Sequence, residues 1–72
     1  MHDEQPRAGT VRPPPRIALA VRELIARDGE PAAAVRLGMS RGAALRVAAR
    51  LPARRGTIIA AAHALGIEVD CG

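Results

Sequence analysis

The sequence predicts an all-α fold of four short helices, and three observations carry that prediction. Apolar residues recur at helical spacing in four separate stretches. Each stretch is closed by a glycine or a proline. No stretch alternates apolar and polar residues as a half-buried strand would. The 72 residues allow one small domain. Hydrophobic residues make up 49% of the chain and none is aromatic, so the core must be built from Ala, Val, Leu, Ile and Met. A core so rich in alanine, with no disulfide, predicts a domain of marginal stability alone, relieved by dimerisation or by a bound partner.

The elements follow in order. Residues 1–15 hold four of the six prolines and almost no large apolar side chain, which reads as a disordered arm that stiffens at Pro13-Pro14-Pro15. A first helix is expected over about 16–27, because Ile17, Val21, Leu24 and Ile25 fall on one stripe. Pro15 suits its first turn, and Asp28-Gly29 stops it with Gly29 as a left-handed cap. A second helix over about 31–37 starts behind Glu30-Pro31, with Ala33, Ala34 and Leu37 inward, and ends at Gly38. A third over about 41–51 is capped by the Ser40 hydroxyl, with Ala44, Val47, Ala48 and Leu51 inward, and is closed by Pro52. A fourth over about 57–65 presents Ile58, Ala61, Ala62 and Leu65. Gly66 caps it, and Ile67 folds back as the apolar partner of that cap. The folded domain is thus expected over 16–67, with 68–72 a frayed tail. Neither a strand nor an internal repeat is predicted.

Charge narrows the function classes. The formal net charge is +4, and all eleven cations are arginine. None of the seven acids lies between Pro31 and Ile67, a span that holds Arg36, Arg41, Arg46, Arg50, Arg54 and Arg55. A basic block free of acids is an electrostatic footprint for a polyanion. The lone Cys71 cannot form an internal disulfide, which favours a reducing, cytoplasmic setting. His2, His63 and Cys71 lack metal-ligand spacing, so no metal or other cofactor is expected. No apolar run reaches the roughly 18 residues of a membrane span, and no apolar signal core precedes the domain.

The segment VRLGMSRGAALRV, from Val35 to Val47, breaks two helix-forming stretches by only Gly38-Met39-Ser40. Gly38 supplies a left-handed backbone, Met39 plugs the crease, and Ser40 restarts the chain as a cap. The small Ala34 sits where two helices approach most closely. This is a helical corner. It resembles the helix-turn-helix of bacterial and phage repressors across Glu30 to Ala49. That family places a small residue, three spacers, glycine, an apolar residue and serine, then two apolar positions, and here these read Ala34, Gly38, Met39, Ser40, Ala44 and Val47. With a helix on either side, the chain resembles a lambda-repressor-like (Cro/C1-type) domain. The stretch RRGTIIAAAHALGIEV has a lesser similarity to LacI-type headpieces. Ala44 is smaller than the usual Val or Ile, and Glu30 stands where Gln or Thr is frequent.

The resemblance implies sequence-specific binding of double-stranded DNA by a transcriptional regulator, most simply a repressor acting as a homodimer. The third helix would enter the major groove. Its candidate base-contacting residues are Ser40, Arg41, Gly42, Leu45, Arg46 and Ala49, with Arg41 and Arg46 suited to guanine and Leu45 to a thymine methyl. Candidate phosphate contacts are Arg36, Arg50, Arg54, Arg55, Gly56 and Thr57, the last two through backbone N–H groups at a helix start. Six phosphate contacts would give a slope of about −5 in log K against log salt. Arg7 and Arg12 of the arm are candidates for the adjacent minor groove. Helix 4, Ile67, Val69 and the outer side of helix 1 are candidate dimer contacts. No small-molecule ligand and no membrane partner is expected.

Two other readings fit the same composition. One is a small helical protein-interaction module, an adaptor or antitoxin-like partner, although a docking face usually mixes charge signs. The other is an architectural nucleic-acid binder without a preferred site. An enzyme is not expected, since the basic block holds no paired carboxylates and no phosphate loop, and the chain is short to enclose a substrate.

Overall fold

The computed structural model describes residues 9–68, and the fold is a small all-α domain carrying one two-stranded ribbon. The elements are β1 (Thr10–Val11), α1 (Pro15–Asp28), α2 (Glu30–Leu37), α3 (Arg41–Ala48), β2 (Ala53–Arg54) and α4 (Arg55–Leu65). The four expected helices are present, with ends that shift by up to three residues.

Each helix begins and ends where local chemistry dictates. Pro15 takes the first position of α1, where a missing N–H leaves nothing unsatisfied. The Pro14 carbonyl accepts from Ile17 and Ala18 at 3.0 and 3.1 Å. Gly29 does more than cap α1. At φ 90° and ψ 159° it is outside the left-handed helical region expected for it, in backbone space essentially reserved for glycine. Its N–H donates to Ile25 O at 2.7 Å, and its own carbonyl accepts from Ala33 at 3.0 Å. One residue therefore closes α1 and opens α2.

The stripes read from the sequence meet in one cluster. Ile17, Val21, Leu24, Ala33, Leu37, Ala44, Val47, Ala48, Ile58, Ala61 and Ala62 are buried together with Ala53. Among the described residues, eight of the fourteen buried hydrophobic side chains are alanine. Small alanine side chains on facing helices leave room for the close approach that a core without aromatic rings requires. No buried polar side chain interrupts it among the described residues.

Three expectations are corrected. The first concerns the arm, for which the composition predicts disorder over 1–15. Residues 9–14 are part of the fold, whereas residues 1–8 lie outside the described residues. β1 pairs antiparallel with β2 in the register Thr10 to Arg54 and Val11 to Ala53. The Pro13 side chain is fully buried and Val11 packs against the core. Apolar burial at Val11 and Pro13, together with the paired backbone, offsets the ordering entropy that the composition alone suggested would win.

The second correction concerns the end of α3, which stops at Ala48 rather than Leu51. Arg50 adopts a left-handed backbone with φ 58°. Arg50 N–H then donates to Val47 O at 3.0 Å and Leu51 N–H to Arg46 O at 2.9 Å. That is a Schellman cap built on an arginine instead of a glycine. The chain turns away, and Leu51 leaves the inward stripe to stand 42% exposed. The early turn also lets α4 begin at Arg55, two residues before the expected start.

The third concerns the tail. Arg16 Nη2 donates to the Glu68 carbonyl at 2.6 Å, so Glu68 is tied back to the start of α1. Ile67 packs against the core, its N–H donating to Ala62 O at 2.9 Å, and is thereby an intramolecular contact. Val69 and residues 70–72 lie outside the described residues.

Candidate nucleic-acid interface

The corner between α2 and α3 forms as the local sequence requires. Gly38 is left-handed at φ 71° and ψ 34°. Its N–H donates to Val35 O and the Met39 N–H to Ala34 O, both at 3.1 Å. Met39 then packs against the core as the plug of the crease. The Ser40 Oγ accepts from the Ala43 N–H at 3.1 Å and caps α3. Ala34 is buried.

This arrangement sets one side of α3 outward. Ala44, Val47 and Ala48 are buried, while Arg41, Gly42, Leu45, Arg46 and Ala49 are exposed, with Leu45 42% accessible. The candidate base-contacting residues thus share a free surface, but they differ in what they offer. The Arg41 side chain makes no hydrogen bond to any described residue, so its guanidinium is available. Arg46 is committed, because its Nη2 donates to the Pro52 carbonyl at 2.8 Å. That bond braces the link from α3 to β2, while the Arg46 side chain stays exposed. The Ser40 oxygen is turned to the helix end. Gly42, Leu45 and Ala49 carry no polar side-chain atom.

The candidate phosphate contacts also divide. Arg54 and Arg55 are exposed and their guanidinium groups bond to no described residue. They stand at the start of α4, which has no side-chain cap. Gly56 is exposed, Thr57 is half-buried, and both belong to the first turn, where N–H groups lack helical partners. A positive helix end flanked by two arginines suits an anionic oxygen. Arg55 N–H is itself occupied by Gly9 O at 3.3 Å.

Two further arginines of this set have surroundings of their own in the fold. Arg50 Nε donates to Pro13 O at 3.0 Å, and Arg50 O accepts from Arg12 Nη1 at 3.4 Å. Arg50 and Arg12 therefore clasp the segment before α1 to the end of α3. Arg12 is part of the folded body, not of a loose arm, and Arg7 lies outside the described residues. Arg36 lines an open groove with Ala20, Glu23, Leu24, Arg27 and Leu65, on the side formed by α1 and α4. Its charge acts on Asp28. The Asp28 carboxyl is held below the usual aspartate range mainly by the hydrogen bond from Arg27, against some desolvation, with the charges of Arg27 and Arg36 helping.

Sequence reasoning missed, as structural residues, the three arginines that bond backbone carbonyls more than thirty residues away, Arg12, Arg16 and Arg50, and also Arg46, which bonds one six residues away. No spacing rule announces a guanidinium that folds onto a carbonyl dozens of residues away. Among the described residues no helix is long and apolar enough to cross a membrane. Set against known protein families, curated proteins and solved structures, the chain matches none.

Proposed function

We propose that this domain binds double-stranded DNA at preferred sites and acts as a transcriptional regulator, most simply a repressor that works as a homodimer. α3 enters the major groove, Arg41 donates to guanine O6 and N7, and Arg54, Arg55 and the first turn of α4 seat the phosphates. The observation that carries the reading is the exposed face of α3. It is set outward by the Gly38–Ser40 corner, holds the uncommitted Arg41, and lies within a 31–67 span free of acids. Arg46 and Arg50 brace the end of α3 through their bonds to Pro52 O and Pro13 O. Two protomers on one dyad would read half-sites about 34 Å apart. Leu19, 50% exposed on α1, and Ile59, 41% exposed on α4, are the apolar candidates for the dimer contact.

The test is selection of bound duplexes from random DNA, followed by titration of the best site and a scrambled duplex at several salt concentrations. With two phosphate-bound arginines per protomer, log K is expected to fall with a slope of about −2 per protomer, less steep than six contacts would give. A recovered inverted repeat, bound roughly a thousandfold tighter than the scramble and weakened by Arg41→Ala, supports the regulator. Equal, salt-sensitive binding to both duplexes points to an architectural binder.

A second reading rests on Val35, which is 81% exposed on α2, and on Leu51. Apolar side chains so placed suit a protein-interaction module. Absence of DNA binding at low salt would favour it.

A further inference from the structure

We infer that residues 9–14 form a releasable strap that decides where α3 ends. With the strap docked, α3 stops at Ala48; with the strap released, it continues to Leu51. The device is independent of what α3 binds.

Local and tertiary preferences conflict over 49–52. The inward stripe Ala44, Val47 and Ala48 continues at Leu51, which lies one turn beyond Val47 and would face the core on a longer helix. Ala49, Arg50 and Leu51 are all good helix formers, and Pro52 is the first residue that stops them. Yet α3 ends at Ala48. Arg50 takes a left-handed φ of 58°, which a β-carbon disfavours, and Leu51 stands 42% exposed. A backbone of that kind persists where surrounding contacts hold it.

Those contacts come from the strap. Arg50 Nε donates to Pro13 O at 3.0 Å, and Arg12 Nη1 donates to Arg50 O at 3.4 Å. Just beyond the turn, β1 pairs with β2, and Gly9 O accepts from Arg55 N–H at 3.3 Å. The strap therefore grips the chain on both sides of the turn. Without it, the left-handed turn keeps its two cap bonds, which a continued helix replaces with ordinary bonds to the fourth residue back. Burial of Pro13 and the packing of Val11 favour the docked state. Relief of the Arg50 backbone and burial of Leu51 favour the longer helix. Segment 49–52 is thus a two-state element that the strap biases.

The released state presents a different surface. α3 gains three residues, about 4.5 Å of helix. β2 loses its partner strand, so Arg54 and Arg55 at the head of α4 are no longer held by Thr10 and Gly9. A partner that captures residues 9–14 in extended form would lengthen α3 and loosen the start of α4 together.

The experiment uses the full chain and reads residues 49–51 by NMR. Val11→Asn combined with Arg12→Ala weakens the strap, since asparagine is a poor strand former and the Arg12 bond is lost. Every buried side chain of α1 to α4 is kept. In the wild type, Arg50 is expected to show a left-handed amide-to-Hα coupling, with no contact between Ala48 Hα and Leu51 Hβ. In the strap variant the coupling falls to the helical range and that contact appears. Adding Arg50→Gly restores the short α3, because glycine is at ease left-handed and poor in a helix. A strap variant whose Arg50 stays left-handed overturns the inference, as does a long helix that Arg50→Gly leaves unchanged. Native-state hydrogen exchange of the wild type decides the matter if the variant does not fold. The amides of β1 and β2 are expected to exchange more than about tenfold faster than those of buried α1. Equal rates, with the strap opening only as the whole domain unfolds, also overturn the inference.

Discussion

Arg50 Nε donates to the Pro13 carbonyl oxygen at 3.0 Å across 37 residues of sequence, while the Arg50 backbone itself sits left-handed at φ 58°. One residue thus ends the candidate recognition helix and fastens the chain segment before α1 to it. The conformation is unfavourable for any residue with a β-carbon, and the long-range bond holds the side chain that compensates it.

The two effects separate by substitution. Arg50→Ala keeps the backbone strain and loses the bond, so it is expected to destabilise the domain by about 1–2 kcal/mol. Arg50→Gly loses the same bond but relieves the strain, and should be more stable than the alanine variant by about 1 kcal/mol. Urea unfolding with an unchanged m-value measures both. Equal stability of the two variants would show that the left-handed turn is without strain.

Gly38→Ala tests the corner. A Cβ at Gly38 would meet nothing within 4 Å, so no clash contributes. What remains is the backbone term at φ 71°, a loss of about 1 kcal/mol and roughly 5 °C in Tm for a domain of this size. A variant as stable as the wild type in a thermal melt would mean that the corner tolerates a side chain.

Ser40 separates folding from binding. Ser40→Ala removes the cap on α3 and should lower stability by about 1 kcal/mol. Ser40→Asp keeps a capping oxygen and adds a negative charge at the positive end of α3, so stability is expected to stay within about 0.5 kcal/mol of the wild type. The same charge lies on the face proposed to meet DNA and should weaken binding there. Unfolding and DNA titration of the two variants give opposite rank orders if Ser40 sits at the interface, and the same rank order if it does not.

Arg54 and Arg55 bond through their side chains to no described residue. Replacing both by alanine is expected to change stability by less than about 0.5 kcal/mol. If they contact phosphates, the salt slope of DNA binding becomes shallower by about 2 per protomer. An unchanged slope would remove the start of α4 from the interface.

Asp28 provides a pH test. Its carboxyl is held below the usual aspartate range, first by the Arg27 hydrogen bond at 3.1 Å and then by the charges of Arg27 and Arg36. A group whose folded value is depressed contributes stability that is present above its unfolded value and is lost as pH falls through the folded one. The contribution of Asp28 is therefore complete above about pH 4 and fades below it. Because the pair is exposed, the effect is small. It is expected to disappear in Asp28→Asn, as read by unfolding between about pH 2 and pH 5.

Much of the α-helical frame was legible because helices announce themselves locally. The stripe Ile17, Val21, Leu24 is a periodic signal, and Gly38, Ser40 and Gly66 are punctuation that acts within one turn. The ribbon was not legible. β1 and β2 are two residues each, too short to show a period of two, and a proline-rich segment reads as linker until something buries it. The end of α3 was misread for a related reason. Nothing in ARLP at 49–52 marks Arg50 as left-handed, since the residue usually chosen there is glycine.

The exposed side of the candidate interface followed from the stripe on its opposite side, so Arg41, Gly42, Leu45, Arg46 and Ala49 were found from sequence as one surface. What each arginine does was not. Arg41 and Arg46 look equivalent in sequence, yet the Arg41 side chain bonds to no described residue whereas Arg46 Nη2 bonds to Pro52 O. Arg36 and Arg50 look equivalent as basic flanks, yet one lines a groove with Glu23 and Arg27 and the other holds Pro13.

By itself, then, the sequence determined the number and kind of helices, the corner between the second and third, the composition of the core and the acid-free charge of its second half. These depend on interactions within a few residues or on counting. The tertiary structure alone decided the pairing of Thr10–Val11 with Ala53–Arg54, the burial of Pro13, the stop at Arg50 and the division of the arginines into free and engaged. A guanidinium on a flexible stem takes whichever carbonyl or carboxylate the fold brings within reach, and that partner is set by chain segments far apart in sequence.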